Sequence, residues 1–400
     1  MNHAKIQVLL VDDNPVDAAL VQQLLKNLAA ELPVETRWVD DAAKALQEVQ
    51  NRPYDLLLLD YQLPDATGLD VLSELRKFAQ SQQPAVIMLT ATGSEKIAVE
   101  AMKSGARDYL RKDELAAAPL TRALMSALSQ KRMQDQLDRY LAQTQAELRM
   151  ARQLQHAMLP RRFPTFPHTA GEGDTALRFH ARYVSTTDLG GDFYDVLPLS
   201  DTEAGVFICD VMGHGVRAAL VTAMMRALVE ELLPVARDPS QFLQGINHGL
   251  YAILKDAAEP LFATAFYLVA DVARGQIRFA NAGHPLPFHL RRADRTVEQL
   301  RFAANGSGPA LGLFDNPPFT TAVSDCAPGD LIILVTDGLF EVLGPNNDEF
   351  GEERLLATVQ QRQQLPPSEL FDELIRVTRQ HSAEGEFADD VCLLGVEVTR

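Results

Sequence analysis

The sequence predicts a multidomain chain: an α/β doubly wound N-terminal part, a long helix with a coiled-coil seam, and an α+β layered C-terminal part. Three observations predict it. Residues 5–128 alternate apolar strand-like runs with helical periodicity, the pattern of a parallel sheet wrapped by helices. Residues 114–159 contain no glycine and one early proline, Pro119. From about Leu177 onward, strand-like runs dominate between a few helical stretches. A chain of 400 residues also exceeds one ordinary core, so two or three domains are expected.

The N-terminal elements follow in order. Ile6–Val11 is an apolar strand running into Asp12-Asp13, and Pro15–Ala30 has helical spacing. Val34–Val39 reads as a strand, Ala42–Gln50 as a helix, and Leu56–Leu59 as a strand ending in Asp60. Gly68–Ala79 reads as a helix, Ala85–Leu89 as a strand ending in Thr90, and Ser94–Ser104 as a helix. A short strand at Asp108–Leu110 leads to Lys112 and the last helix. Continuous apolar runs such as LLLL before Asp60 mark strands buried on both faces, and such a sheet carries its site at the C-terminal strand ends.

The helix over 114–159 would reach roughly 65–70 Å at about 1.5 Å per residue. Leu137, Leu141, Thr144, Leu148, Ala151, Gln155 and Met158 follow a 4-3 spacing, a weak heptad seam that predicts a homodimer through this helix. The alternative is a single helix packed on its own domain. The segment Pro160–Asp174 is rich in proline and glycine and marks a boundary. The domains are therefore placed at 1–125, 126–164 and 165–400.

In the C-terminal part the strand-like runs are Phe179–Tyr183, Gly205–Cys209, Thr264–Ala270, Gln276–Asn281, Leu331–Thr336 and Val391–Val398. Helical stretches fall at Val216–Leu233, Pro239–Leu254, Glu353–Gln363 and Pro367–Gln380. The layering expected is sheets inside and helices outside.

Composition excludes several classes. The chain is 46% apolar and 23% charged, with a net charge of -17. That charge divides as -5 over 1–125, +4 over 126–164 and -16 over the remainder. An acidic C-terminal part repels phosphate backbones, so no nucleic acid partner is expected. No apolar run approaches 18 residues, so no membrane span is expected. The opening MNHAKIQVLLVDD is too short and too soon acidic for a signal peptide. The scattered Cys209, Cys326 and Cys392 suggest buried thiols in a reducing cytoplasm.

Asp12, Asp13 and Asp60 end two strands that a doubly wound sheet makes neighbours. Three clustered carboxylates repel unless a cation sits among them. A magnesium ion there leaves one carboxylate oxygen free as a nucleophile toward a phosphoryl donor. Thr90 and Lys112 end later strands, where a hydroxyl and an ammonium can meet an added phosphoryl group. Through VDD, LLLLDYQLPDATG, MLTATG and GARDYLRK, residues 4–125 closely resemble the response-regulator receiver domain, with its flavodoxin-like fold. The resemblance implies Asp60 as phosphoacceptor, Mg2+ held by Asp12, Asp13 and Asp60, and a switch of Thr90, Tyr109 and Lys112. Asp113 replaces the proline usual after that lysine. A sensor histidine kinase or phosphotransfer protein is the implied donor, and a receiver that no longer accepts phosphate is the rival.

A second set of acids lies in DLGGDFYD (Asp192), DVMGHG (Asp210), TDG (Asp337) and ADD (Asp389, Asp390). Each carboxylate adjoins a strand-like run. Carboxylates spread over several strand ends suit two hard divalent cations, which together perform phosphoryl hydrolysis. The Val211 carbonyl offers a neutral oxygen ligand. His214 and His284, in glycine-rich turns, are either proton donors to a leaving alkoxide or structural histidines. With ARQLQHAMLP, LFATAFYLVAD and FANAGHPLP, these motifs resemble the SpoIIE-type branch of the PPM (type 2C) metal-dependent serine/threonine phosphatases over Arg149–Arg400. That implies an αββα sandwich and two Mn2+ or Mg2+ ions. It implies Asp192 and Asp210 on both metals, and Asp337 with one of Asp389 and Asp390, Asp389 favoured, on the second. It implies direct attack by a metal-activated water, and a regulatory switch in the helix after Asp210 and the next one.

Together the resemblances imply a cytoplasmic two-component response regulator with a phosphatase output, as in fused regulators that include the RssB-type of pseudomonads. The implied substrate is a phosphorylated STAS-type anti-sigma-factor antagonist in a partner-switching pathway. The alternative is a non-catalytic adaptor that binds a sigma factor or anti-sigma partner under receiver control.

Overall fold

The structure is a computed structural model describing residues 5–28, 33–79, 83–91, 95–171, 173–186, 189–257, 259–302 and 306–400. Ala29 and Ala30 of the first expected helix, Ser94 of the fourth, Thr92-Gly93 of MLTATG and Asp188 of DLGGDFYD lie outside them. The chain forms two compact units, Met1–Gln145 and Ala146–Arg400.

The first unit runs β1 (Ile6–Val11), α1 (Pro15–Leu28), β2 (Val34–Val39), α2 (Ala42–Asn51), β3 (Leu56–Asp60), α3 (Gly68–Leu75), β4 (Ala85–Thr90), α4 (Glu95–Lys103), β5 (Asp108–Arg111) and the start of α5 (Ala117–Met158). Its strands form one parallel sheet in the order β2-β1-β3-β4-β5. Side chains alternate across a strand, so β1, β3 and β4 feed two cores. Val8, Leu10, Leu56, Leu58, Ile87 and Leu89 pack with α1 and with Leu120, Leu124 and Leu128 of α5. Leu9, Val11, Leu57, Leu59, Val86 and Met88 pack with α2 and α3. Asp41 caps α2 by accepting from the Lys44 amide, and Thr67 with Asp70 forms a capping box on α3. α3 stops at Leu75, short of the expected Ala79, because the amides of Lys77 and Phe78 turn back to the carbonyls of Glu74 and Leu75. In α5 the buried residues end at Leu128.

The second unit continues from the end of α5 with β6 (Leu177–Val184), β7 (Asp192–Pro198), β8 (Glu203–Val211), α6 (Val216–Glu231), α7 (Pro239–Leu254), β9 (Ala263–Asp271), β10 (Gln276–Ala282), β11 (Phe288–Arg291), β12 (Thr296–Gln299), β13 (Ala322–Asp325), β14 (Leu331–Val335), α8 (Gly351–Arg362), α9 (Pro367–His381) and β15 (Val391–Val398). Two five-stranded antiparallel sheets result, β13-β10-β9-β8-β7 and β12-β11-β14-β15-β6. Their inner faces share one core, in which Ile208, Phe266 and Phe279 meet Phe179, Leu334 and Leu394. The outer face of the first sheet packs Phe207 and Tyr267 on Met225, Phe242 and Ile246 of α6 and α7. The outer face of the second packs Ile333 and Leu393 on Leu355, Phe371 and Leu374 of α8 and α9. The layers are thus α-β-β-α. β7, β11, β12 and β13 add to the strands expected. Cys209, Cys326 and Cys392 are buried free thiols.

Candidate functional site

In the first unit, β1 and β3 are adjacent and parallel, Val11 opposite Leu59. Their C-terminal ends therefore deliver Asp12, Asp13 and Asp60 to one edge, with a ligand oxygen from each within 4.8 Å of the others. Asp12 and Asp60 are buried and Asp13 is exposed. The Lys112 ammonium reaches this cluster, 2.7 Å from Asp12 Oδ2, 2.9 Å from Asp60 Oδ2 and 3.0 Å from Asp17 Oδ2. Asp17, on α1, is a partner that no motif announced. Burial pushes the Asp60 carboxyl above its usual range, against the pull of Lys112. Burial opposes the Lys112 charge, but the surrounding carboxylates outweigh it and raise its pKa. Thr90 is buried on the neighbouring strand, and a cleft of about 30 Å³ lies beside it and Asp60. Tyr109 stands exposed on β5. Gly68 is required here, because a Cβ on it would lie 2.7 Å from the Asp60 carbonyl.

In the second unit, Asp192 opens β7 directly opposite Asp210 near the end of β8. The diglycine Gly190-Gly191 precedes it. A Cβ on Gly191 would lie 2.6 Å from the Val211 carbonyl oxygen, so only glycine lets the loop lie this close to β8. Asp192 is buried, and its Oδ2 accepts the Thr336 hydroxyl at 2.8 Å. Thr336 Oγ1 in turn accepts from the Cys392 amide at 2.9 Å, tying β14 to β15. Asp337 starts a 3₁₀ turn directly after β14. Gly338 of that turn backs onto the Asp389-Asp390 backbone.

The adjacent Asp389 and Asp390 are in different settings. Asp390 is buried, and its carboxylate accepts from the Thr186 amide at 2.9 Å and the Gly191 amide at 2.8 Å. Asp389 is exposed and, among the described residues, accepts a local bond from the Asp390 amide, at 2.7 Å. Burial first, and then neighbouring carboxylates, raise the pKa of Asp192, Asp210 and Asp337. For Asp210 these neighbours are chiefly Asp337 and Asp389, and its pKa is pushed up to about 7. Burial also raises Asp389. Among the described residues, no lysine or arginine pairs with Asp192, Asp210, Asp337 or Asp389. A set of hard oxygen donors that disfavour one another's charge and lack a protein cation fits divalent metal ions.

The two histidines differ. His214 is exposed in the turn between Gly213 and Gly215, both at positive φ. His284 is buried, with Nδ1 2.8 Å from Thr264 Oγ1 and its backbone amide donating to Asn281 Oδ1. Burial lowers its pKa to about 3, a setting that favours the neutral imidazole.

Gln155 departs from the expected coiled-coil seam. Its side chain turns into its own unit, where Nε2 donates to the Gly190 carbonyl at 2.7 Å and to Thr222 Oγ1 at 3.1 Å, while Oε1 accepts from the Gly190 amide at 3.1 Å. The half-buried Leu148, Ala151 and Met158 lie along the same stretch, and Met150 and Leu154 are exposed instead.

The sequence profile described as Stage II sporulation protein E (SpoIIE) matches residues 200–399, half of the chain. The chain belongs to the SpoIIE family. Ahead of that region, residues 8–124 of this SpoIIE-family chain match the response regulator receiver domain. It is 26% identical over 257 residues to phosphoserine phosphatase RsbP of Bacillus subtilis, covering 64% of this chain and 58% of the relative. It is 26% identical over 197 residues to phosphoserine phosphatase RsbU of the same organism, covering 49% and 54%. It thus spans little more than half the length of these relatives. The SiaA-PP2C domain of Pseudomonas aeruginosa superposes with a TM-score of 0.54 at 24% identity, covering 64% of the chain and 98% of that domain. The SpoIIE-family unit therefore has the PP2C fold. Among the described residues no helix is long and apolar enough to cross a membrane.

Proposed function

We propose that the chain is a response regulator whose output is metal-dependent phosphoserine or phosphothreonine hydrolysis. The observation that carries this reading is the second unit's group of aspartates on adjoining strand ends, which among the described residues have no cationic partner. Asp192 and Asp210 would be shared between two Mn2+ or Mg2+ ions, with the Val211 carbonyl as a neutral ligand, and Asp337 and Asp389 would complete the set. Two divalent ions there supply the charge that makes water nucleophilic and screens a phosphoryl group. Asp390 and Thr336 hold the Gly191 amide and the Asp192 carboxylate in place. His214 remains a candidate proton donor.

In the first unit Asp60 would accept a phosphoryl group from a sensor kinase or phosphotransfer protein. Asp12 and Asp13 would hold Mg2+, and Lys112 and Thr90 would receive the added charge. The names of RsbP and RsbU support a phosphoserine substrate, here a STAS-type anti-sigma-factor antagonist in a partner-switching pathway. The functional division is a receiver over 1–125, a helical connector that pairs two copies over 126–164, and the phosphatase over 165–400.

The test is Mn2+-dependent phosphate release from a phosphorylated antagonist, with and without beryllofluoride on Asp60. Release that responds to the Asp60 ligand supports the whole scheme. No release with any divalent ion favours the adaptor.

A further inference from the structure

We infer that Gln155 is a positioning residue for the second unit's acidic site, acting through Gly190 on the loop that carries Asp192. The inference rests on the reading of that site given above. One side chain satisfies both backbone polar groups of Gly190, a buried residue, in a ring of two hydrogen bonds of 2.7 and 3.1 Å. A backbone segment held at both its donor and its acceptor has little freedom to rotate. The next residue, Gly191, has its amide fixed by Asp390, and Asp192 has its carboxylate fixed by Thr336. Successive residues Gly190, Gly191 and Asp192 are thus each held by a different element, and the first hold comes from the end of α5.

The glycines explain why this support is needed. Side chains at Gly190 and Gly191 would collide with Asp390 and with the Val211 carbonyl, so these two residues have no side chains with which to pack. Their backbone is held instead by hydrogen bonds with Gln155 and Asp390. The third bond of Gln155, to Thr222 of α6, ties the same amide to the helix that follows the Asp210 turn. Thr222 is buried and its hydroxyl also donates to the Ala219 carbonyl at 2.8 Å. Gln155 therefore sets the distance between the loop before Asp192 and the helix after Asp210, the two acids facing each other across β7 and β8. His156, the next residue of α5, places its ring edge-on to Tyr183, 5.9 Å between centroids. The end of α5 is thus anchored on this side by two consecutive residues.

Groups that orient metal ligands typically cost 10- to 100-fold in metal affinity when removed. The test is titration of the full chain with Mn2+ alone by calorimetry, joined to hydrogen exchange over residues 189–192 and to steady-state kinetics on a phosphoprotein. Gln155→Leu is expected to weaken Mn2+ binding about tenfold, to speed exchange of the Gly190 amide, and to lower kcat with KM unchanged. Thr222→Val, which removes only the α6 arm, should fall between Gln155→Leu and the wild type, and it decides the matter if Gln155→Leu does not fold. Leu154→Ala, on the exposed side of the same helix turn, should match the wild type in all three. Unchanged Mn2+ affinity in Gln155→Leu, or equal losses in Leu154→Ala, overturns the inference. Weakened Mn2+ binding in Gln155→Leu, with no phosphate release even from the wild type, retires the phosphatase reading and leaves the positioning role standing.

Discussion

Asp192 and Asp210 face each other across the β7–β8 ladder, so their carboxylates project from the same face of the sheet. Both are raised in pKa, Asp192 by burial and then by Asp210, Asp210 by burial and then by Asp337 and Asp389. Burial and mutual repulsion thus disfavour two full charges here without a cation. Asp192→Asn and Asp210→Asn are therefore expected to raise the melting temperature of the metal-free protein, by about 2–4 °C for each kcal/mol of relieved repulsion. They should also abolish the stabilisation that Mn2+ gives the wild type. Scanning calorimetry with and without Mn2+ checks both signs.

Asp389 and Asp390 should separate cleanly. Asp390→Ala leaves the Thr186 and Gly191 amides without their acceptor, which should cost roughly 2–4 kcal/mol of stability. Asp389→Ala removes only a local bond and should leave stability within about 0.5 kcal/mol while weakening Mn2+ binding. Urea unfolding gives the first quantity and calorimetric titration the second.

Much of this arrangement was legible in the sequence. The strand-then-aspartate device marked Asp12, Asp60, Asp210 and Asp337, because a buried strand must be apolar and its end is where a carboxylate can reach solvent or a metal, whereas Asp192, which opens its strand, was marked by the diglycine before it. β15 and α7 fall where their patterns placed them. What escaped notice depends on long-range contacts. β11, β12 and β13 have four residues each, too few for periodicity to register. Asp17 meets Lys112 only because α1 passes the C-terminal edge of the sheet. Gln155 fits a heptad seam by spacing, yet its amide is used by Gly190, and spacing alone cannot tell a partner chain from the helix's own domain. The separate tasks of Asp389 and Asp390 follow from hydrogen bonds to residues about two hundred positions away.

Lys112 lies among the carboxylates that would hold Mg2+ in the first unit, so it competes with the ion. Lys112→Met should tighten Mg2+ binding by about tenfold, the scale of one ammonium–carboxylate interaction in partly solvated surroundings. Trp38 is the single tryptophan, and its indole donates to the Asp12 carbonyl at 2.9 Å, so its fluorescence reports the titration. Asp60→Asn should reduce labelling by acetyl phosphate to background.

His284 makes a pH prediction. Burial lowers its pKa in the folded chain from the ordinary 6.5 to about 3, so between these values the unfolded chain binds a proton that the folded chain refuses. Its contribution is present above about pH 6.5 and is lost as pH falls toward 3. The stability difference between wild type and His284→Gln should therefore shrink as pH is lowered from 7 to about 4. Urea unfolding of both proteins at each pH measures it.

The two-metal site in the second unit stands or falls on Mn2+-dependent phosphate release from a phosphoserine protein, comparing wild type with Asp337→Ala. Release by the wild type should stop on chelation and fall at least about 100-fold in the variant, the loss of some 2.7 kcal/mol of transition-state stabilisation. Equal release by the two proteins would contradict it.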